Sequence, residues 1–113
     1  MDDNLKRLAG LADMIKEAEL AKLNAAQRKL RDAQDQIRKL QDARIEALGR
    51  DEFDTARRAG ADQTWSRWAE MRIQSMNIEI AQAAAYAETR KISARKAFGR
   101  ASVLQQLAGQ KPR

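Results

Sequence analysis

Residues 69–108 read AEMRIQSMNIEIAQAAAYAETRKISARKAFGRASVLQQLA, and apolar residues recur along them at alternating intervals of four and three. Eleven of the twelve residues at these positions, which we call the seam, are apolar. The twelve are Ala69, Ile73, Met76, Ile80, Ala83, Ala87, Arg90, Ala94, Ala97, Ala101, Leu104 and Ala108. Such a heptad repeat is typical of a helix that packs one narrow stripe against a partner helix. We therefore predict one long helix over residues 62–108.

The same spacing recurs earlier in the chain and offers a partner helix within the molecule. It runs through Leu23, Ala26, Leu30, Ala33, Ile37, Leu40, Arg44 and Ala47. We predict a first helix over residues 4–48, a connection over 49–61 and a tail over 109–113. The expected fold class is all-α, a single domain of two long helices in an antiparallel coiled-coil hairpin. A domain-swapped dimer would use the same two seams, and the sequence leaves that choice open.

The N-terminal part of the first helix is less regular. We expect its seam to include Leu8 and Ile15, so that only Glu19 fills the gap before the regular repeat begins. This stutter would locally unwind the supercoil. In an antiparallel hairpin Glu19 comes within about one turn of Arg90, the polar residue of the second seam. We predict that these two residues pair at the interface; the alternative is that both turn toward solvent.

The residue types present argue against catalysis and against metal binding. Histidine and cysteine are both absent, so no Ser-His or Cys-His nucleophile can be built and the usual ligands of transition metals are missing. The five glycines stand apart and form no phosphate-binding loop. We therefore expect a protein that is not an enzyme and has no catalytic residue, cofactor or metal.

We expect no secretory signal at the N-terminus. It begins with acidic residues rather than with a basic segment followed by an apolar one. No apolar run approaches the roughly 18 residues that a membrane-spanning helix needs. We expect a cytoplasmic protein without a transmembrane segment.

The net charge of +6 is concentrated toward the C-terminus, where no acidic residue follows residue 88. Five of the basic residues form a block on the second helix: Arg90, Lys91, Arg95, Lys96 and Arg100. Nucleic-acid binding would use such a block to neutralise phosphates, but only Phe98 interleaves with the charges and no binding motif is present. Part of the pattern complements the dipole at a helix C-terminus. Nucleic acid is therefore a disfavoured partner, and a membrane surface more so, because most apolar residues here are alanine.

A second apolar stripe on this helix lies outside the seam. This outer stripe consists of Trp68, Met71, Ile78 and Ile92, with Ala85 at the same spacing. Several large apolar residues at sevenfold spacing beside a tryptophan indicate a surface that contacts another molecule. We predict a partner protein there. A homo-oligomer, or a different choice of seam, would also account for the stripe.

Three stretches of the chain resemble the FliJ family. This family comprises the stalk proteins of the flagellar export ATPase and has relatives in virulence type III secretion. The stretches are Leu5-Lys6-Arg7-Leu8 and AELAKLNAAQRKL over residues 18–30 in the first helix, and Trp65-Ser66-Arg67-Trp68 at the start of the second. The basic C-terminal end is similar as well. The resemblance implies a hairpin similar to the central shaft of rotary ATPases. Its terminal end would enter the pore of a hexameric ATPase, and other surfaces would meet the export gate or chaperones.

On charge and heptad position, we assign the basic block to the contact with the ring and the outer stripe to a second partner. The protein would then work in the cytoplasm, peripheral to a membrane-bound export apparatus. Two alternatives stay open, a self-assembling structural coiled coil and a basic nucleic-acid-binding helical protein.

Overall fold

The computed structural model describes residues 2–48 and 55–109, with side chains for 3–47 and 63–109, and every described residue is helical. Helix α1 spans Asp2–Leu48 and helix α2 spans Thr55–Gly109. The chain folds as an all-α helical hairpin, which confirms the predicted fold class.

Helix α2 begins earlier than the predicted start at residue 62. Residues 55–62 read TARRAGAD, and alanine and arginine are among the strongest helix formers, while one internal glycine costs only about 1 kcal/mol. Local propensity therefore extends the helix past Gly60, and α2 continues without a break through Gly99. Residues 55–61, which were predicted to belong to the connection, are therefore helical, and residues 49–54 lie outside the described residues.

The chain divides into two compact units, which are described separately. The terminal unit comprises Met1–Arg28 and Ala84–Arg113, and the middle unit comprises Lys29–Ala83. In the middle unit Ile37 of α1 and Ala69 and Met76 of α2 are buried at seam positions. The ion pairs Asp35–Arg38 and Arg72–Glu79 lie on its surface at 3.9 and 4.0 Å.

The terminal unit is held together mainly by alanine. Its buried apolar residues are Ala9, Ala12 and Ala26 of α1 and Ala87, Ala94, Ala97 and Ala101 of α2. Small side chains at the contact let two helix axes approach closely. The segments run antiparallel, since Lys16 lies over the ring of Phe98 whereas Glu19, further along α1, meets Arg90. This order places the chain's two termini in the same unit.

The predicted stutter in α1 is wrong. Leu8 and Ile15 are each 50% exposed, whereas Ala9 is buried and Lys16 and Glu19 are half-buried. The seam of α1 therefore keeps its alternating spacing of four and three through the terminal unit, and it passes through a lysine rather than an isoleucine.

Lys16 can occupy a seam position because its side chain has two chemically different parts. Its ammonium group lies 5.4 Å from the centroid of the Phe98 ring and pairs with Asp13 at 2.8 Å and Glu17 at 3.6 Å. A lysine stem can pack along apolar surface while its charge reaches polar partners. Continuity of the heptad thus outweighs the larger apolar area of Ile15.

Candidate functional site at the terminal end

An apolar groove with a volume of about 560 Å³ lies along the surface of the terminal unit. Leu8, Leu11 and Ile15 of α1 line one side, and Val103 and Leu104 of α2 line the other. The buried seam residues Ala12 and Ala97 also line it and form its floor. Alanine in the seam leaves the floor low, while the larger side chains at flanking heptad positions stand above it.

The groove has a basic edge. Lys96 and Arg100, one helical turn apart on α2, both line it and are exposed. No acidic residue is among the described residues that line the groove. Gly99 lies between the two cations, and a Cβ built on it would meet nothing within 4 Å. The terminal unit therefore presents apolar walls and positive charge side by side.

The predicted pair of Glu19 and Arg90 is confirmed, with 3.7 Å between Glu19 Oε2 and Arg90 Nη1. The two side chains are only 18% and 21% exposed. Arg90 Nη2 also donates a hydrogen bond of 3.5 Å to Ser93 Oγ, and the guanidinium lies 5.7 Å from the centroid of the Tyr86 ring. Lys22 approaches Glu19 Oε1 at 3.5 Å. Arg90 is therefore occupied within the protein.

The pair is not fully satisfied by hydrogen bonds. Glu19 Oε2 and Arg90 Nε are buried and make no hydrogen bond among the described residues. At 3.7 Å the contact between the two side chains is Coulombic rather than a hydrogen bond of ordinary length. The geometry thus favours retention of both charges together, since either one alone would be left in a poorly solvated position.

The basic block is divided by the structure rather than gathered on one face. Arg95, Lys96 and Arg100 are exposed, Lys91 is half-buried, and Arg90 lies in the seam. Only Lys96 and Arg100 line the groove, while Lys91 and Arg95 occupy heptad positions on the other flank of α2. Four of the five predicted contact residues therefore remain available, on two flanks.

The outer stripe is exposed throughout. Trp68, Met71 and Ile78 in the middle unit and Ile92 in the terminal unit are each more than half exposed. Their exposure agrees with the seam as assigned on α2 and removes the alternative that this stripe is itself the seam.

Sequence reasoning missed the groove, although a signal for it was present. If the heptad repeat of α1 is continued through Lys16, it places both Leu8 and Ile15 beside the seam rather than in it. Leu11 and Val103, at the next heptad position outward, then extend the apolar surface on both helices. The groove is thus readable from the sequence only after the phase of α1 is known.

Within the described ranges, no helix is long and apolar enough to cross a membrane, and His, Cys, Asp and Glu form no group of three suited to a metal ion. Comparisons of the chain with protein-family models, with curated proteins and with solved structures find no match.

Proposed function

We propose that this protein is a non-enzymatic coiled-coil interaction subunit, the central stalk of a flagellar or type III export ATPase. Its terminal end would insert into the hexameric ring and promote protein export. The observation that supports this role best is the terminal unit itself, where an exposed apolar groove adjoins basic residues of α2. The similarity of residues 18–30 to FliJ proteins adds the class of partner.

In this proposal Lys91, Arg95, Lys96 and Arg100 contact the ring. Their positive charge would steer the terminal end toward acidic surfaces and fix its orientation, effects that complementary charges produce more readily than raw affinity. Arg90 has a different role, because its side chain already contacts Glu19, Ser93 and Tyr86 within the protein. It would support the contact by stabilising the hairpin rather than by touching the partner.

The outer stripe gives the stalk a second surface. Trp68, Met71, Ile78 and Ile92 would bind an export-gate or chaperone protein, since exposed apolar groups of this size usually serve an interaction. The protein would then act in the cytoplasm at the export apparatus.

The direct test is ATP hydrolysis by the export ATPase of the same source, with and without this protein. We expect stimulation together with assembly of the ring. A variant in which Lys91, Arg95, Lys96 and Arg100 are all replaced by glutamine should stimulate less. The matched control replaces four exposed basic residues of α1 by glutamine, namely Arg28, Lys29, Arg31 and Lys39, and should stimulate like the parent.

Failure to bind or stimulate the ATPase, by a sample shown to be helical, would overturn the proposal. Binding should also stabilise the hairpin against heat by mass action, so a melting temperature unchanged by the ATPase would count against it. Binding to DNA that falls steeply with salt would favour a nucleic-acid-binding protein instead.

Self-assembly is the second candidate, and the exposure of the outer stripe is the observation that favours it. A structural coiled coil would bury Trp68, Met71 and Ile78 against another copy of the chain. It would form a stable oligomer without any partner, whereas a stalk would be a monomer or a weak dimer.

A further inference from the structure

The groove of the terminal unit has the dimensions of a site for a helix. From Leu8 to Ile15 its α1 side extends over two turns, or about 10 Å. The side chains along it are about half exposed although they are large and apolar. A concave apolar surface between two helices is the usual seat of a third amphipathic helix, which inserts its own apolar residues at intervals of three and four.

The charge at the edge of the groove narrows the choice of occupant. Lys96 and Arg100 flank it, and no acidic residue is among the described residues that line it. A second copy of this chain would bring a further Lys96 and Arg100 to a groove that already carries two cations, and the described residues of neither lining offer a carboxylate to pair with them. A helix with acidic residues on the facing edge would be attracted instead.

Two other occupants fit less well. Residues 110–113 read Gln-Lys-Pro-Arg, and this segment offers no large apolar side chain and carries further positive charge. A lipid surface would meet the basic edge, but the floor at Ala12 and Ala97 is recessed between the helices and is out of reach of a flat membrane.

We propose that this groove binds an acidic amphipathic helix of a partner protein, with its apolar stripe between α1 and α2 and its carboxylates along Lys96 and Arg100. The inference deepens the proposed function, since both cations belong to the proposed ring contact. It rests on that function only for the identity of the protein that carries the helix.

The test measures binding of a labelled synthetic peptide to the full chain by fluorescence anisotropy. The peptide is a helix of about 20 residues with leucine at heptad spacing and glutamate on both flanks of the leucine stripe. We expect saturable binding that weakens as salt increases. The same peptide with lysine in place of glutamate should bind at least about tenfold more weakly, because each attraction becomes a repulsion.

Two pairs of variants locate the site. Leu11→Gln removes an apolar contact from the groove wall without adding charge and should weaken binding by about tenfold, whereas Met14→Gln changes an exposed residue that does not line the groove and should have no effect. The double variant Lys96→Glu, Arg100→Glu should prefer the lysine peptide. Its control, Arg28→Glu with Lys29→Glu, makes the same change of charge on α1 and should keep the original preference.

No saturable binding of the glutamate peptide, or equal effects of Leu11→Gln and Met14→Gln, would overturn the inference. Binding to anionic vesicles in place of the peptide would identify a lipid surface, and self-association abolished by Leu11→Gln would identify a second copy. Peptide binding without ATPase stimulation would support the groove inference and contradict the stalk proposal. ATPase stimulation without peptide binding would support the stalk proposal and contradict the groove inference.

Discussion

Glu19 and Arg90 place opposite charges inside a seam that is otherwise built largely of alanine. Each side chain is about four-fifths removed from solvent, so each is partly compensated by the other, with Lys22 as a second cation beside Glu19. Replacing such a pair by apolar residues is often neutral or favourable, whereas removing one member is costly. The pair therefore contributes more to the specific alignment of α1 against α2 than to the total free energy of unfolding.

We predict that Glu19→Leu or Arg90→Leu alone lowers the free energy of unfolding by about 1 kcal/mol, while the double variant recovers most of the loss. Urea unfolding followed by far-UV circular dichroism would measure the coupling. The control cycle uses the exposed pair Asp35 and Arg38, where alanine substitutions should couple by less than about 0.5 kcal/mol. Equal coupling in the two cycles would contradict this account.

Lys16 makes the stability of the terminal unit depend on pH in the alkaline range. The hydrogen bond to Asp13 is the largest cause that raises the pKa of Lys16 above its ordinary value of 10.5, and the charges of Asp13 and Glu17 act in the same direction. A group whose pKa is raised by folding stabilises the folded state below its unfolded pKa and loses this contribution as the pH rises through the folded value.

We therefore expect Lys16→Met to be less stable than the parent at neutral pH, with a difference that shrinks as the pH rises above 10.5. Thermal melts at a series of pH values would follow it. Lys29→Met, at an exposed position of α1, serves as the control, and its difference from the parent should change less over the same range. If the stability difference between Lys16→Met and the parent grew with pH, the direction assigned to the pKa shift of Lys16 would be wrong.

At the scale of the helix, the phase of the heptad repeat decides which side chains face the partner helix. The seam of α2 was predicted position by position, because Ala, Ile, Met and Leu fill nearly all of it. The seam of α1 was predicted correctly from Glu19 onward but wrongly at Leu8 and Ile15, because a ranking by hydrophobicity prefers Ile15 to Lys16 and Leu8 to Ala9. The same limit applies to the candidate site. The basic block can be predicted from the sequence, whereas the groove can be predicted only when the heptad phase of α1 is known.

The corrected phase predicts opposite responses at neighbouring positions. Ala9→Leu should lower the free energy of unfolding by about 1–3 kcal/mol, because the added side chain overfills a close helix contact. Leu8→Gln should change it by no more than about 0.5 kcal/mol, as expected at an exposed site. Urea unfolding of the two variants is decisive, since a stutter at Leu8 and Ile15 would make Leu8→Gln the more damaging change.

For the molecule as a whole, the main question is whether the hairpin works alone or with copies of itself. The exposed outer stripe serves either purpose, but the seams of the two helices already satisfy each other within one chain. Once the seam is covered, the large apolar groups that remain exposed are divided between the groove and the outer stripe.

We predict that the isolated protein is a monomer or weak dimer by sedimentation and light scattering, and that Met71→Glu with Ile78→Glu leaves its mass unchanged. Neither residue belongs to the seam, so the variant should keep its helical content. A defined oligomer that dissociates in this double variant would instead establish the self-assembling structure.

The alanine seam of the terminal unit has a mechanical consequence. Ala87, Ala94 and Ala101 are seven residues apart and buried alike, so α1 displaced along α2 by one heptad would again meet alanine at these layers. Short side chains interdigitate shallowly, which leaves little resistance to axial sliding. The same displacement would carry Glu19 from Arg90 to Ala97 and strand both charges. Within the terminal unit, the ion pair therefore distinguishes the observed stagger of the two helix segments from one displaced by a heptad.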